Sequence, residues 1–261
     1  MSGSESRTVL DQSPPEFTGR VALVTGAAGA GCGQAIARRL AAGGATVVVT
    51  DSHERRTNEV ARAIAKDHLG TKVIGEVLDI GEPEQVTELV ARLSSDMEPI
   101  SLLVNNAAIN IMGSIIECSI ADWRHMMAVN LDGPFLLSRL VMRALRDVHM
   151  KGCIVNVSSI AATAGGGGLE AAYAISKAGL NALTRCCAYE GGPLGIRVNA
   201  IAMHAVEGTR FVDRHADLIK PGVLGHLVHV SDVADAVAFL ASDRARSITG
   251  EILQVTAGMF P

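Results

Sequence analysis

The sequence predicts a single α/β domain: a doubly wound sheet of seven parallel strands with helices on both faces. Hydrophobic residues make up 48% of the 261 residues but aromatic ones only 3%, so Ala, Val, Leu and Ile must form the core, as in buried parallel strands. Short apolar runs alternate with longer segments of helical period along the chain. No Pro/Ser-rich linker or change of composition divides it, which indicates one domain.

The predicted elements follow one another with strand–helix–strand spacing. The strands cover 20–24, 46–50, 72–78, 100–104, 153–157, 196–200 and 251–255. The helices cover 31–43, 54–68, 82–95, 119–127, 131–149, 172–190 and 231–241. Residues 203–230 have the least periodicity, which is typical of a lid or a binding loop. We assign residues 19–261 to the domain and the polar residues 1–18 to a flexible N-terminal extension.

Charge and cysteine content restrict the ligands and the compartment. The formal net charge is −4, and the interspersed charges provide neither a basic stripe for nucleic acid nor a polybasic patch for a membrane. The expected ligands are therefore small molecules. The five cysteines have no zinc-site spacing, so we expect no metal. An odd number of cysteines without an apolar signal segment predicts a soluble protein of the cytoplasm, a reducing compartment.

A glycine-rich turn follows the first predicted strand and leads into the first helix. It provides five candidate cofactor contacts, which are Gly26, Ala28, Gly31, Cys32 and Gly33. Glycines let the backbone turn tightly and approach a pyrophosphate, whose charge meets free N–H groups at the helix start. With a strand before it and a helix after it, the turn predicts a dinucleotide site.

Asp51 closes the second predicted strand. A carboxylate in this place accepts both hydroxyls of the adenosine ribose and repels a 2′-phosphate, so the sequence favours NAD(H) over NADP(H). Arg55 and Arg56 follow closely and could reach a phosphate, which keeps NADP(H) open as the alternative. Their other interpretation is a solvated first turn of a helix.

Tyr173 and Lys177 lie four residues apart in a helical pattern, so both side chains occupy one face of the helix. An ammonium beside a phenol stabilises the phenolate, and we expect it to lower the tyrosine pKa from about 10. Such a tyrosine can donate or accept a proton near neutral pH. The pair is therefore the candidate proton-transfer group.

Five motifs in order resemble the short-chain dehydrogenase/reductase family, over residues 19–258. They are the glycine-rich turn in a form one residue longer than usual, NNAA at 105–108, VNLDG at 129–133, IVNVSS at 154–159 and YAISK at 173–177. The closing segment ITGE at 248–251 is also similar to the family's last strand. The resemblance implies a Rossmann fold, NAD(P)(H) as cofactor, oxidoreduction at CH–OH groups, and a homotetramer formed through the helices near 131–149 and 172–190.

The resemblance also implies roles for the matching residues. Tyr173 would be the general acid in reduction and the general base in oxidation, while Lys177 would hold the nicotinamide ribose. Ser159 would hydrogen-bond the substrate oxygen, and Asn130 would anchor a water that links Lys177 to solvent. The implied cofactor contacts beyond the turn are Asp51, Asp79, Ile80, Asn106, Ala107, Tyr173, Lys177, Val206 and Thr209.

Ser158 and Ser159 compete for the position of the catalytic serine. In relatives this serine lies thirteen residues before the tyrosine, and Ser159 lies fourteen before Tyr173. The glycine run 165–168 can contain the extra residue, so we prefer Ser159. Ser158 is the alternative, and its other interpretation is a strand-end hydroxyl bonded to the backbone.

The chain departs from the family pattern at its longer glycine-rich turn, at Ala108 in place of a glycine, and in the short lid at 205–230. A further departure is Met203-His204, where the family usually has Pro-Gly beside the nicotinamide. His204 is either a substrate-binding group or an ordinary loop histidine.

Together these observations predict hydride transfer between a nicotinamide cofactor and a secondary alcohol or ketone. Two alternatives stay open. One is reduction of 3-oxoacyl thioesters, for which Arg210, Arg214 and Lys220 near the mouth would provide positive charge. The other is a dinucleotide-binding sensor or scaffold with little turnover, suggested by Met203-His204.

Overall fold

The computed structural model describes residues 15–215 and 219–259. Seven of the strands in this part of the chain are β1 (Val21–Val24), β2 (Thr46–Asp51), β3 (Val73–Val77), β4 (Leu102–Asn105), β5 (Gly152–Ser159), β6 (Ile196–Met203) and β9 (Ile252–Val255). They form one parallel sheet in the order β3-β2-β1-β4-β5-β6-β9. The short strands β7 (Val206–Glu207) and β8 (Val228–His229) pair with each other. The predicted seven-stranded doubly wound sheet is confirmed.

Helices cover both faces of the sheet. They are α1 (Cys32–Ala42), α2 (Glu54–Asp67), α3 (Pro83–Asp96), α4 (Ile120–Met127), α5 (Gly133–Asp147), α6 (Ala161–Ala164), α7 (Ala171–Gly191), α8 (Arg210–His215) and α9 (Val230–Ala241). Apolar residues of α1, α2 and α9 join the core on one face, and those of α3, α5 and α7 join it on the other. No helix in the described ranges is long and apolar enough to cross a membrane.

Burial on both faces explains the continuous apolar runs of the central strands. All four residues of β1 and all four of β4 are buried, as expected where helices cover a parallel sheet on both sides. The strand order reverses between β1 and β4. In doubly wound sheets the carboxyl ends of strands at such a reversal leave a crevice for ligands.

Apart from shifts of one or two residues at other element ends, the main differences from the predicted elements are the following. Helix α5 begins at Gly133 instead of 131, because residues 128–132 form a wide π-helical turn that joins α4 to α5. Strands β5 and β6 continue two and three residues beyond their predicted ends, since Ser159 and Met203 still pair in register. The elements α6, α8, β7 and β8 were not predicted, because they are too short to show a hydrophobic period.

Of the predicted flexible extension, residues 1–18, the first fourteen lie outside the described residues. Residues 15–18 form a packed turn in which Phe17 is fully buried and its N–H donates to the Gly43 carbonyl at 2.7 Å. Glu16 forms ion pairs with Arg39 and Arg244 at 3.5 and 3.1 Å. These four residues therefore belong to the folded domain, which differs from the predicted boundary at 19.

Candidate active site

A cleft of about 780 Å³ opens at the carboxyl ends of the central strands. Its wall is formed by the segments that follow six strands of the sheet, namely β1, β2, β3, β4, β5 and β6. The volume lies in the range of small-molecule and cofactor sites. The cleft therefore lies where the reversal of strand order predicts a ligand site.

The glycine-rich turn forms one end of the cleft. A Cβ atom on Gly33 would lie 2.5 Å from the Gly26 carbonyl oxygen and 2.5 Å from Nδ2 of Asn106. That amide donates to the carbonyls of Thr25 and Gly26 at 2.8 and 3.1 Å. The backbone N–H groups of residues 29–33 donate to no acceptor within the described ranges. A turn that is closely packed behind and presents free N–H groups in front fits a pyrophosphate.

Asp51 lies on the cleft wall at the end of β2. Its carboxylate accepts hydrogen bonds from the N–H groups of Ala28 and His53, both at 3.2 Å. Arg56 also lines the cleft, and its Nε is buried without a partner among the described residues. Arg55, in contrast, is exposed and pairs with Glu59 on its own helix. One of the two arginines considered from the sequence therefore reaches the site.

The remaining predicted cofactor contacts continue along the cleft. Asp79 accepts a hydrogen bond from the N–H of Gly81 at 2.9 Å, and Thr209 donates to the Val206 carbonyl at 2.6 Å. The predicted contacts on the wall are Gly26, Gly31, Cys32, Gly33, Asp51, Asp79, Ile80, Asn106, Ala107, Tyr173, Val206 and Thr209. Ala28 and Lys177 are buried behind the wall.

Tyr173 and Ser159 meet at the other end of the cleft. Tyr173 lies in the first turn of α7 and Ser159 ends β5, and both side chains line the cleft. The Ser159 hydroxyl oxygen also accepts from the N–H of Ala161 at 3.1 Å. Ser158 points to the opposite face of the strand, is fully buried, and donates to the Lys177 carbonyl at 3.4 Å. Of the two serines, Ser159 is the one that lines the cleft.

The charges at this end differ from those expected. Burial raises the pKa of Tyr173 to about 12, and the nearby Ser159 hydroxyl only partly opposes that rise. The Lys177 Nζ lies 5.6 Å from the centre of the Tyr173 ring and donates to the Val157 carbonyl at 2.8 Å. Burial lowers the pKa of this lysine to about 8. The predicted lowering of the tyrosine pKa is wrong for this structure, because loss of water contact favours the neutral phenol.

Asn130 lies in the π-helical turn and is completely buried. Its side-chain oxygen accepts from the N–H of Ile109 at 2.9 Å, while its Nδ2 donates to the Ile109 carbonyl at 2.8 Å and to the Ser176 hydroxyl at 3.1 Å. The amide thus connects the loop after β4 with α7. Single π-helical turns within α-helices are frequent at functional sites.

Several wall residues were not predicted as site residues. They include Asn110, His125 and Glu170. His204, for which the sequence leaves a substrate-binding role open, also lines the cleft, and burial lowers its pKa although Glu170 opposes that shift. Glu170 lies only three residues before Tyr173, and this proximity is the sequence signal that could have identified it. No three His, Cys, Asp or Glu side chains of the described residues are grouped as a metal site requires.

Comparison with known proteins connects this geometry to a family. A family model described as enoyl-(acyl carrier protein) reductase matches residues 26–260. The 3-oxoacyl-[acyl-carrier-protein] reductase FabG of Escherichia coli is 37% identical over 248 residues, which are 94% of this chain and 98% of that protein.

Two solved structures agree with this match. A short-chain dehydrogenase from Mycobacterium smegmatis is similar with a TM-score of 0.82 and 32% identity, over 92% of this chain and 93% of that one. A structure assigned as an NAD(P)-dependent gluconate 5-dehydrogenase from Beutenbergia cavernae, with NADP bound at low occupancy, has a TM-score of 0.85 and 32% identity, over 94% and 98% of the two chains. The chain therefore belongs to the short-chain dehydrogenase/reductase family of oxidoreductases, which use NAD(P)(H) and act on CH–OH groups.

Proposed function

We propose that Tyr173 transfers the proton in the interconversion of a secondary alcohol and a ketone. The observation that carries this proposal is the neighbouring position of Tyr173 and Ser159 on the wall of the cleft that also contains the glycine-rich turn. The free N–H groups of that turn, with Asp51 and Asp79, would hold the dinucleotide, and its nicotinamide would supply or accept the hydride. The chain itself must therefore position the substrate oxygen and exchange one proton with it.

Ser159 and Tyr173 divide these two tasks. Because the Ser159 oxygen accepts from Ala161, its own proton is free to be donated to the substrate oxygen, where negative charge develops during reduction. The Tyr173 hydroxyl then donates its proton to that oxygen, and an alcohol and a phenolate result. With a pKa of about 12 the phenol is protonated at neutral pH, as a proton donor for carbonyl reduction must be.

Lys177 and Asn130 act from behind the wall in this proposal. Lys177, with a pKa of about 8, carries positive charge at neutral pH and stabilises the phenolate that Tyr173 becomes. The Asn130 amide is already hydrogen-bonded to Ile109 and Ser176. In this proposal Asn130 anchors a water that connects Lys177 to solvent.

The test is a hydride-exchange assay over a panel of ketones and alcohols with wild type, Tyr173→Phe and Tyr189→Phe. We expect Tyr173→Phe to lower kcat about 10²- to 10⁴-fold because the proton donor is lost, with little change in dinucleotide affinity. Tyr189 is 88% exposed on the same helix, so Tyr189→Phe is the matched control. Loss of dinucleotide binding in Tyr173→Phe would show a structural role instead.

The same panel distinguishes the alternative functions. One relative carries the name of a 3-oxoacyl-[acyl-carrier-protein] reductase, and a 3-oxoacyl thioester therefore belongs in the panel. A thioester turned over far better than any free ketone would favour that alternative. Binding of NADH or NADPH without oxidation by any carbonyl compound would favour the sensor.

We further propose NAD(H) as the preferred cofactor. The Asp51 carboxylate, fixed by two N–H donors on the wall, would accept the ribose hydroxyls and repel a 2′-phosphate. Arg56 lines the same wall, and its guanidinium would attract a 2′-phosphate and so favour NADP(H). We expect fluorescence titrations to show tighter binding of NADH than of NADPH. In Asp51→Asn the ratio of the two dissociation constants should change about tenfold in favour of NADPH. NADPH preference in the wild type would contradict the assignment, and Arg56→Gln would then show whether the arginine causes it.

A homotetramer formed through α5 and α7 is the proposed assembly. The described structure leaves Phe135 of α5 and Ile175 and Tyr189 of α7 exposed by 53%, 43% and 88%, and such side chains are typical of an interface. Light scattering should give the mass of four chains. The free state of all five cysteines supports a reducing location such as the cytoplasm.

A further inference from the structure

Three polar side chains from separate segments line the Tyr173 end of the cleft: Asn110 after β4, Glu170 before α7 and His204 after β6. We name them the Glu170 cluster. The proton transfer proposed above uses none of them. They surround the region into which a substrate bound to Tyr173 and Ser159 must extend.

Backbone contacts hold Glu170 in this position. The N–H of Gly113 donates to the Leu169 carbonyl at 2.6 Å, which joins the segment containing Asn110 to the segment containing Glu170. The glycines at 165–168 all have positive φ, and a Cβ on Gly166 would lie 2.9 Å from that of Glu170. The left-handed turn thus packs directly against the Glu170 side chain, and only glycine allows this approach.

The Glu170 carboxylate keeps a free acceptor. Asn110 Nδ2 donates to Oε1 of Glu170, whereas Oε2 accepts no hydrogen bond from any described residue. Glu170 raises the pKa of both Tyr173 and His204, so its charge is felt at both side chains. The cation on the described cleft wall is Arg56, which lies beside Asp51 at the dinucleotide end. The wall of the substrate end therefore combines a negative charge with a free acceptor, while the positive charge of Lys177 lies behind that wall, 5.6 Å from the centre of the Tyr173 ring.

We propose that Glu170 selects substrates that carry a second hydroxyl group near the reacting carbon. Oε2 accepts the hydrogen bond of that hydroxyl while Ser159 and Tyr173 bind the reacting oxygen, and the same charge disfavours substrates that carry a carboxylate. This inference rests on the proposed function, because it requires the reacting oxygen to lie between Tyr173 and Ser159. A hydroxy ketone or a diol fits these requirements, and a 3-oxo acid anion does not.

Removal of Glu170 will also change the pKa of Tyr173, and a fall in rate by itself would therefore not identify a binding role. That general effect is common to all substrates and cancels in a ratio between two of them. The informative quantity is the kcat/KM for a hydroxy ketone divided by that for the ketone without the hydroxyl. One hydrogen bond to a charged acceptor corresponds to about a ten- to hundredfold change in this ratio.

The experiment measures kcat/KM of the full chain with the preferred cofactor for three small probes: acetoin, butanone and the acetoacetate anion. If the ketone panel shows turnover only of a larger skeleton, the same three forms of that skeleton replace them. The variants are Glu170→Gln, Glu170→Ala and, as a control, Glu88→Ala, which removes an exposed carboxylate of α3 that does not line the cleft.

We expect wild type to prefer acetoin to butanone, and Glu170→Ala to lower that preference about ten- to hundredfold. Glu170→Gln keeps an acceptor but loses the charge, so it should lower the acetoin preference less while raising the acetoacetate-to-butanone ratio. Glu88→Ala should leave both ratios at their wild-type values. Thermal unfolding of each variant shows whether it is folded. If Glu170→Ala does not fold, the isosteric Glu170→Gln still measures the effect of the charge on the two ratios.

Ratios unchanged within about threefold in both Glu170 variants would overturn the inference, since Glu170 would then act equally on all substrates. A wild type without hydroxyl preference would overturn it as well. Failure of the proposed function has a different signature, namely no oxidation of NADH or NADPH by any carbonyl compound of the panel.

Discussion

The two ends of the cleft are built in different ways. At the dinucleotide end the wall is mostly backbone and strand termini, and close packing between Gly33 and Asn106 fixes its shape. At the substrate end, side chains from the segments after β4, β5 and β6 meet, and contacts such as the one between Gly113 and Leu169 hold them. Dinucleotide binding is thus a property of the fold, whereas substrate choice is a property of loops that the fold leaves variable.

The substrate end should show the largest effect of a single conservative change. Ser159→Ala removes a donor to the oxygen on which charge develops, so we expect kcat for ketone reduction to fall about 10²- to 10³-fold. NADH affinity, measured by fluorescence titration, should stay near that of wild type.

Ser158→Ala is the matched control for this prediction. Its hydroxyl is buried and bonded to the Lys177 carbonyl, so its loss should lower the free energy of unfolding by about 1 kcal/mol and affect kcat far less. Equal losses of kcat in both variants would remove the distinction between the two serines.

At the dinucleotide end, adding a methyl group to a glycine of the turn tests how far close packing, as distinct from ligand contact, requires that glycine. Gly33→Ala forces a Cβ to within 2.5 Å of the Gly26 carbonyl oxygen and of Asn106. We expect it to lower the free energy of unfolding by about 1–3 kcal/mol and to weaken dinucleotide binding. Thermal unfolding and titration measure the two effects.

Gly29 offers the comparison within the same turn. A Cβ there meets no atom within 4 Å, so Gly29→Ala should leave the unfolding temperature of the chain unchanged. A loss of stability equal to that of Gly33→Ala would show that the turn is sensitive to any side chain, and not to the close approach at Gly33.

The smallest expected effect concerns the buried charge behind Tyr173. The Lys177 pKa is about 8 in the folded chain and 10.5 for an unperturbed lysine. Between these values the unfolded chain binds more protons at this group, so Lys177 should contribute a rise of about 1–2 kcal/mol to the free energy of unfolding between about pH 7 and 9.5, against the opposite contribution of cysteines whose pKa burial raises. Lys177→Met should lack this rise in thermal unfolding of the chain without added ligand.

Above about pH 10 the sign reverses. The Tyr173 pKa is raised to about 12, so the unfolded phenol loses its proton first and stability falls as pH increases further. Tyr173→Phe should reduce this fall, and Cys32 and Cys187, whose pKa values burial raises to about 11, should cause the part that remains. A wild-type profile identical to that of Lys177→Met over the lower window would contradict the burial of a charged lysine.

The sequence predicts the dinucleotide end of the cleft better than the substrate end. The apolar runs, the glycine-rich turn and the end of β2 are local patterns, so the sheet and the place of Asp51 could be derived from spacing alone. The side chains of Asn110 and Glu170 are 60 residues apart along the chain and meet through a backbone bridge without a motif. The sequence spacing predicts the ammonium next to Tyr173, but it does not predict that the phenol is removed from water. The expected pKa is therefore too low.

The wide turn at 128–132 has a consequence for how this chain tolerates changes of length. It joins α4 and α5 through one residue more per turn than a regular helix contains. Deleting one of the four residues around Asn130 would let the two helices merge into a continuous rod without rotating the helices on either side, because the wide turn is what absorbs the extra residue. The rod would be a better helix, yet Asn130 would no longer tie Ile109 to Ser176. A single-residue deletion here can therefore produce a well-folded chain in which the loop after β4 is no longer hydrogen-bonded to α7 through Asn130.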